Sequence, residues 1–206
     1  ARMLYFNTSQ KGEDRAQLNN GLLHCHLSGQ GEHIFDLSCL QLKGKHNLEN
    51  TAAASLAALA VGASPSGITE AMERFTGLHH RLEYVATVHD THYYNDSKGT
   101  NVDAVARALE SFNVPVVLIM GGRDKGGDYG ILENLIRTRV KALFVMGEAQ
   151  NAILNALGEH TRTQKVASLP NAVEAASKAA GPGDIVLLSP GCSSFDMFDD
   201  YAHRGE

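Results

Sequence analysis

The chain has 206 residues with 18 Lys+Arg against 23 Asp+Glu, and its net charge of −5 excludes the basic footprint that non-specific nucleic-acid binding requires. Hydrophobic content of 43% and charged content of 20% are globular values, in a chain long enough to bury a core without disulfides or metals. No apolar run approaches the ~20 residues of a membrane span. Ala1-Arg2-Met3-Leu4-Tyr5 lacks the pattern of a signal peptide, and Cys25, Cys39 and Cys192 are odd in number with no C-x-x-C, which argues against a disulfide framework or a zinc site. The expected setting is a reducing, cytoplasmic one, with no membrane or nucleic-acid partner and no bound metal of the chain's own.

The elements in chain order begin weakly. Gly21–Leu27 and His33–Leu37 read as short strands joined by a Ser28-Gly29-Gln30-Gly31 loop. His24 and His26 lie two apart and so share a strand face; a surface strand is the plainer reading, a metal pair the sharper one. Residues 46–61 carry Ala52, Leu56, Leu59 and Ala60 at helical spacing, with Gly62 as a stop. Ser66–Phe75 reads as a second helix, capped at Ser66, and Thr76-Gly77-Leu78 as a linker.

The pattern then changes. Strands are predicted at 82–88, 91–95, 115–120, 141–146, 165–169 and 184–189, and helices at 102–112, 129–139, 148–158, 170–180 and 193–203. Val102, Val105, Ala106 and Leu109 form an i, i+3, i+4, i+7 stripe. Val116–Met120 and Ile185–Leu188 are continuous apolar runs, as expected of parallel strands covered on both faces. Alternating strands and helices imply right-handed βαβ units in a doubly wound α/β sheet spanning 79–206. Residues 1–78 read as the end of another domain. The chain opens without an initiator Met and stops at Glu206 behind a helical pattern, as expected of part of a longer polypeptide.

In open α/β sheets, ligands bind beyond the carboxyl ends of the strands. Polar, small-residue clusters stand at three such places: Asn95-Asp96-Ser97-Lys98-Gly99-Thr100-Asn101, Gly121–Asp128, and Pro190-Gly191-Cys192-Ser193-Ser194-Phe195-Asp196. One alone would be an ordinary turn, with Thr100 capping the next helix, Ser193 or Ser194 capping the last, and Asp124 and Asp128 as turn residues. All three on one edge, two with a lysine, point to an anionic ligand. Asn47 and Asn50 share the first turn of the 46–61 helix, where two carboxamides could read a purine edge or Asn47 could simply cap. Arg81 could reach a phosphate or pair with Glu83. No base has a claim on Cys192. Neither G-x-G-x-x-G nor G-x-x-x-x-G-K-[ST] occurs, so no phosphate loop of those types is present.

Taken together, Gly44-Lys45-His46-Asn47-x-x-Asn50-x-x-Ala53-Ala54 and Phe75-x-Gly77-x-x-His80-Arg81-x-Glu83 resemble the Mur ligases of peptidoglycan synthesis. Asn95–Asn101, Gly121-Gly122-x-Asp124-Lys125-Gly126-x-Asp128 and Leu188–Phe198 are similar to the D-glutamate-adding branch of that family. The resemblance implies the end of a central ATPase domain over 1–78 and a Rossmann-like C-terminal ligase domain over 79–206. It also implies a monomer using ATP and Mg²⁺, the magnesium ligands lying mostly outside this segment, to join D-glutamate to UDP-N-acetylmuramoyl-L-alanine through an acyl phosphate. Residue by residue, it implies Asn47 and Asn50 at the adenine, Asp96 at the ribose, and Arg81 at the γ-phosphate. Lys98 would stand near the reaction centre, with Thr100, Lys125, Ser194, the Phe195 backbone and Tyr201 around D-glutamate. Gly99 stands where many members have alanine, and that change is expected to be neutral. The alternatives are another amide ligase of the Mur and folylpolyglutamate synthase type, or a non-catalytic nucleotide- or amino-acid-binding module.

Overall fold

The computed structural model describes residues 3–6, 14–42 and 44–206, and the chain divides into two compact units, Ala1–Gly77 and Leu78–Glu206. In the first unit, strands β1 (Tyr5–Phe6), β2 (Arg15–Asn19), β3 (Leu22–Leu27) and β4 (Gly31–Asp36) form a sheet in that order, β1–β2 parallel and the rest antiparallel. Strand β2 has no counterpart among the predicted strands. The signal for it is Asn20-Gly21, both at positive φ (47° and 80°), the conformation of a type I′ hairpin turn.

Alternation sends Leu23, Cys25 and Leu27 of β3 inward. They pack with Ala16, Phe35 and the Ala52, Leu56 and Leu59 stripe of helix α1 (Lys45–Ala60). His24 and His26 take the opposite face, and His24 lies 3.4 Å from Glu32. Helix α2 (Pro65–Arg74) adds Ile68 and Met72 to the core. Its cap is Ser64, whose hydroxyl accepts from the Gly67 N–H at 3.2 Å, not Ser66. Pro65 occupies the first helical position, where its missing N–H costs nothing, and this moves the start forward. Asn47 does not cap α1 either: the cap is Gly44 at φ 92°, with no side-chain bond.

The second unit is a six-stranded mixed sheet of order β5-β6-β10-β7-β8-β9. The strands are β5 (Glu83–Val88), β6 (Thr91–Asn95), β7 (Val116–Gly121), β8 (Val140–Met146), β9 (Arg162–Lys165) and β10 (Ile185–Leu188). All neighbours pair parallel except β5, an antiparallel edge strand. Leu118, Met120, Leu143, Val145 and Leu187 face helices α3 (Val102–Glu110), α4 (Glu133–Arg139) and α5 (Gln150–Leu157). Val117, Ile119, Phe144 and Val186 face Ala172 and Ala176 of α6 (Leu169–Ala179). The continuous apolar runs of β7, β8 and β10 follow from this double cover.

Three elements differ from expectation. The segment from 129 begins as a 3₁₀ turn, Tyr129–Leu132, before α4. Strand β9 precedes the predicted 165–169. The final helix is only α7 (Tyr201–Gly205), capped by Asp200, instead of 193–203. Neighbouring loops take backbone groups at the start of this stretch, Pro190 O accepting from Gly121 N and Ser193 O from Arg123 N, and only a single turn forms at Ser194 before α7. Neither Ser193 nor Ser194 therefore caps a helix.

Thr100 is not a cap either. Asn101 caps α3, its side chain accepting from Ala104 N at 2.8 Å. Asn101→Ala is expected to lower the stability of the second unit by about 1 kcal/mol, as other cap deletions do, and Thr100→Ala by far less. Urea unfolding of the two variants checks this, and equal midpoints would reject Asn101 as the cap.

Candidate functional site

Strands β6, β10 and β7 lie side by side, so the loops that follow them meet at one edge. Strand β10 is reached last in the chain yet sits between strands whose helices cover the other face, the switch in winding where α/β sheets open a cleft. The loops are stitched together through backbone bonds: Asp96 N to Leu188 O at 2.7 Å, Gly191 N to Gly99 O at 2.8 Å, Gly121 N to Pro190 O at 2.9 Å and Arg123 N to Ser193 O at 2.9 Å.

A buried arginine holds two of them from within. Arg204, on α7, is 2% exposed; Nε donates to Ser97 Oγ at 3.0 Å, and Nη2 donates to Ser97 O at 2.7 Å and Cys192 O at 3.1 Å. Burial lowers its pKa to about 10, so the guanidinium stays charged at neutral pH. Asn95 closes the same corner, its amide donating to Gly205 O and meeting His80 Nδ1, both at 3.0 Å. Nothing in the sequence marks Arg204 or Asn95 for these tasks, because each partner is distant in the chain.

Asp96 is 6% exposed; one carboxylate oxygen accepts from Leu82 N at 3.2 Å and the other from Ser189 Oγ at 2.7 Å. A carboxylate has about four lone-pair sites, so it can accept further donors. Lys98 is half-buried, its Nζ 4.0 Å from the centre of the Tyr201 ring. Thr100 is half-buried beside it. Ser194 is buried, and its carbonyl accepts from Met197 N and Phe198 N. Phe195 is 60% exposed. Lys125 is exposed on a turn organised by Asp124, whose Oδ1 accepts from Gly126 N at 2.9 Å and from the Tyr129 hydroxyl at 3.0 Å. Asp124 and Asp128 thus both serve as turn residues, Asp128 accepting from Gly130 N.

Tyr201 follows Ser194 through irregular chain, not along one helix. Cys192 is 1% exposed and its thiol is pushed up by burial, an inert side chain against the Tyr129 hydroxyl at 3.2 Å. Arg81 is exposed between His80 and Leu82, both left-handed (φ 62° and 47°). It does not pair with Glu83, whose carboxylate instead binds the His79 ring at 2.8 Å and the His80 N–H at 2.7 Å. Asn47 and Asn50 belong to the first unit, on the first and second turns of α1, Asn47 half-buried and Asn50 exposed.

Lysines, hydroxyls and a buried arginine-braced frame suit an anionic ligand. Among the described residues no group of three or more His, Cys, Asp or Glu could hold a metal ion.

Residues 80–192 match the family model described as Mur ligase, glutamate ligase domain, and the chain belongs to the Mur ligase family. Across its whole length it is 46% identical to the UDP-N-acetylmuramoylalanine--D-glutamate ligase of Desulfosudis oleivorans. Over 204 residues, 98% of the chain, it is 44% identical to the protein of the same name from Syntrophus aciditrophicus. The chain spans 45% of the length of each of these relatives. Among solved structures, the UDP-N-acetylmuramate-alanine ligase of Thermotoga maritima shares the fold at a TM-score of 0.65 and 18% identity, covering 90% of this chain and 44% of that one. The folylpolyglutamate synthase of Mycobacterium tuberculosis shares it at a TM-score of 0.63 and 19% identity, covering 91% and 46%.

Two outcomes follow from the site's packing. Gly99→Ala is not expected to be neutral: an added Cβ would press on the Asp96 carboxylate and lie 3.1 Å from Ser189 Oγ. A lowered melting temperature for Gly99→Ala, measured calorimetrically, is the expected result, and an unchanged one would show that this carboxylate yields freely. The second concerns pH. Burial pushes the Asp96 carboxyl up to about 6, against the bonds from Ser189 and Leu82 and the charge of Arg81. Between its unfolded value near 4 and this folded value the native chain holds a proton that the unfolded chain has lost. This contribution is fully present below about pH 4 and is lost as pH rises through about 6. Wild type should therefore lose ground to Asp96→Asn in urea midpoint as pH rises from about 4 to 7; parallel pH profiles would refute the burial assignment.

Proposed function

We propose that this chain is the amino-acid-binding part of an ATP-dependent ligase that joins D-glutamate to UDP-N-acetylmuramoyl-L-alanine in peptidoglycan synthesis, working in the cytoplasm as a monomer. The observation that carries the reading is the meeting of the Lys98, Lys125 and Ser194 loops on adjacent strands at the carboxyl edge of the sheet. Identity of 44–46% to ligases of that name supports the substrate.

A carboxylate does not condense with an amine unaided near pH 7. In the proposed reaction the L-alanyl carboxylate takes the γ-phosphoryl group of ATP, giving an acyl phosphate and ADP. The D-glutamate amine attacks the acyl carbon; the C–N bond forms, the C–O bond to phosphate breaks, and the amine gives up a proton. Negative charge gathers on the transferring phosphoryl group and on the tetrahedral oxygen, where fixed cations lower the barrier most. Lys98 and Arg81 are assigned that charge. The two carboxylates of D-glutamate need donors, and Lys125, Thr100, Ser194 and the Phe195 N–H are assigned to them, with Tyr201 lining the pocket. Asn47 and Asn50 would face the adenine, and the remaining lone pairs of Asp96 the ribose hydroxyls. Mg²⁺ would supply charge neutralisation on the phosphates from ligands elsewhere in the protein.

The test is ADP release by the full-length protein given UDP-N-acetylmuramoyl-L-alanine, ATP and Mg²⁺ with D-glutamate, L-glutamate, L-lysine or meso-diaminopimelate. Release with D-glutamate alone is expected. Release only with another acceptor would point to a different ligase of the family, and none with any acceptor to a binding module. In the same assay Lys125→Ala should raise the D-glutamate KM by one to two orders of magnitude, about the loss of one charge-assisted bond, and leave the ATP KM nearly unmoved. Equal effects on both would reject its place at the amino acid.

A further inference from the structure

Lys98 poses a problem of placement. A lysine ammonium sits on a flexible four-carbon stem, and a charge taken out of water is ordinarily paired. No carboxylate of the described residues pairs with Lys98. Its neighbour is the face of Tyr201, with Nζ 4.0 Å from the ring centre. The negative face of an aromatic ring attracts a cation without carrying net charge. A carboxylate in that position would cancel the charge and repel an anionic ligand, whereas a ring leaves the ammonium's full charge available.

The ring is itself firmly located. The His80 ring meets it edge-on, with centres 6.1 Å apart and planes at 74°. Tyr201 O accepts from Ser97 Oγ at 2.7 Å, and Ser97 immediately precedes Lys98. Lys98 N donates to His80 O at 2.9 Å, so His80 fixes both partners of the pair. Arg204, three residues beyond Tyr201, binds Ser97 from the other side. The Tyr201 hydroxyl makes no hydrogen bond to any described residue. The ring face, not the phenol, makes the contact.

We propose that Tyr201 is a positioning residue, its ring face holding the Lys98 ammonium at the reacting centre in place of a carboxylate. What the ammonium then does rests on the ligase reading; the pairing does not.

The pairing is tested by proton–carbon NMR of this chain with labelled lysine. The Lys98 ε-methylene protons should resonate upfield of the other lysines, keep that shift in Tyr201→Phe and lose it in Tyr201→Leu. A Lys98 resonance indifferent to Tyr201→Leu overturns the pairing. The positioning role is tested in the full-length protein. Tyr201→Leu should lower kcat for ligation about five- to thirtyfold, the worth of a partly desolvated cation–π contact, with the ATP KM nearly unmoved and most of the loss recovered by Tyr201→Phe. A lost ring shift with undiminished kcat overturns the role. If wild type turns over no amino acid, the ligase reading fails while the NMR result still decides the pairing.

Discussion

The guanidinium of Arg204 is the contact on which the geometry of the carboxyl edge depends. It is 2% exposed and reaches two loops that are nearly a hundred residues apart in sequence, binding Ser97 through Oγ and carbonyl and Cys192 through its carbonyl. Burying a charge is costly unless its donors are used, and here Nε and Nη2 are used on groups whose own positions matter. Ser97 precedes Lys98, and Cys192 precedes the serine pair. The loops also share backbone bonds, so each is located by the others and not by its own strand alone.

Around this frame the charges are handled in three different ways. Arg204 is buried and spent on structure. Asp96 is buried with two donors and a raised pKa. Lys98 keeps its charge against a neutral ring, and Lys125 stands exposed on a turn made by Asp124. Lys98 and Lys125 thus put positive charge at this edge although the chain as a whole is negative. An anionic ligand responds to that local field and not to the net charge.

Much of the second unit was legible because local pattern and tertiary role coincide there. The Val102–Leu109 stripe, the apolar run of β7 and the run of β10 each mark an element that is covered as its periodicity says. That the clusters after β6, β7 and β10 come to one edge was also legible, since each follows a strand of the same sheet. The failures have different causes, some tertiary and some local. Residues 193–200 look helical, but the Ser193 carbonyl is taken by Arg123 N from another loop and only one turn forms, at Ser194, before α7. Thr100 looks like a cap, but Asn101 is one residue nearer the helix and its shorter reach to Ala104 N wins. Gly99 looks replaceable until the Asp96 carboxylate is seen against it. Strand β2 was missed although Asn20-Gly21 announces its hairpin.

The sequence by itself determined the class of fold, the family and the residue types at the edge, because periodicity, turn chemistry and ordered motifs are local properties of a chain. Only the tertiary structure decided which of those residues act on one another. Arg204 on Ser97 and Cys192, Ser189 on Asp96, and Tyr201 under Lys98 join positions widely separated in the chain. No local pattern encodes such pairs. They exist because inserting β10 between β6 and β7 brings three loop ends to one place, and close packing then leaves each side chain a single set of partners.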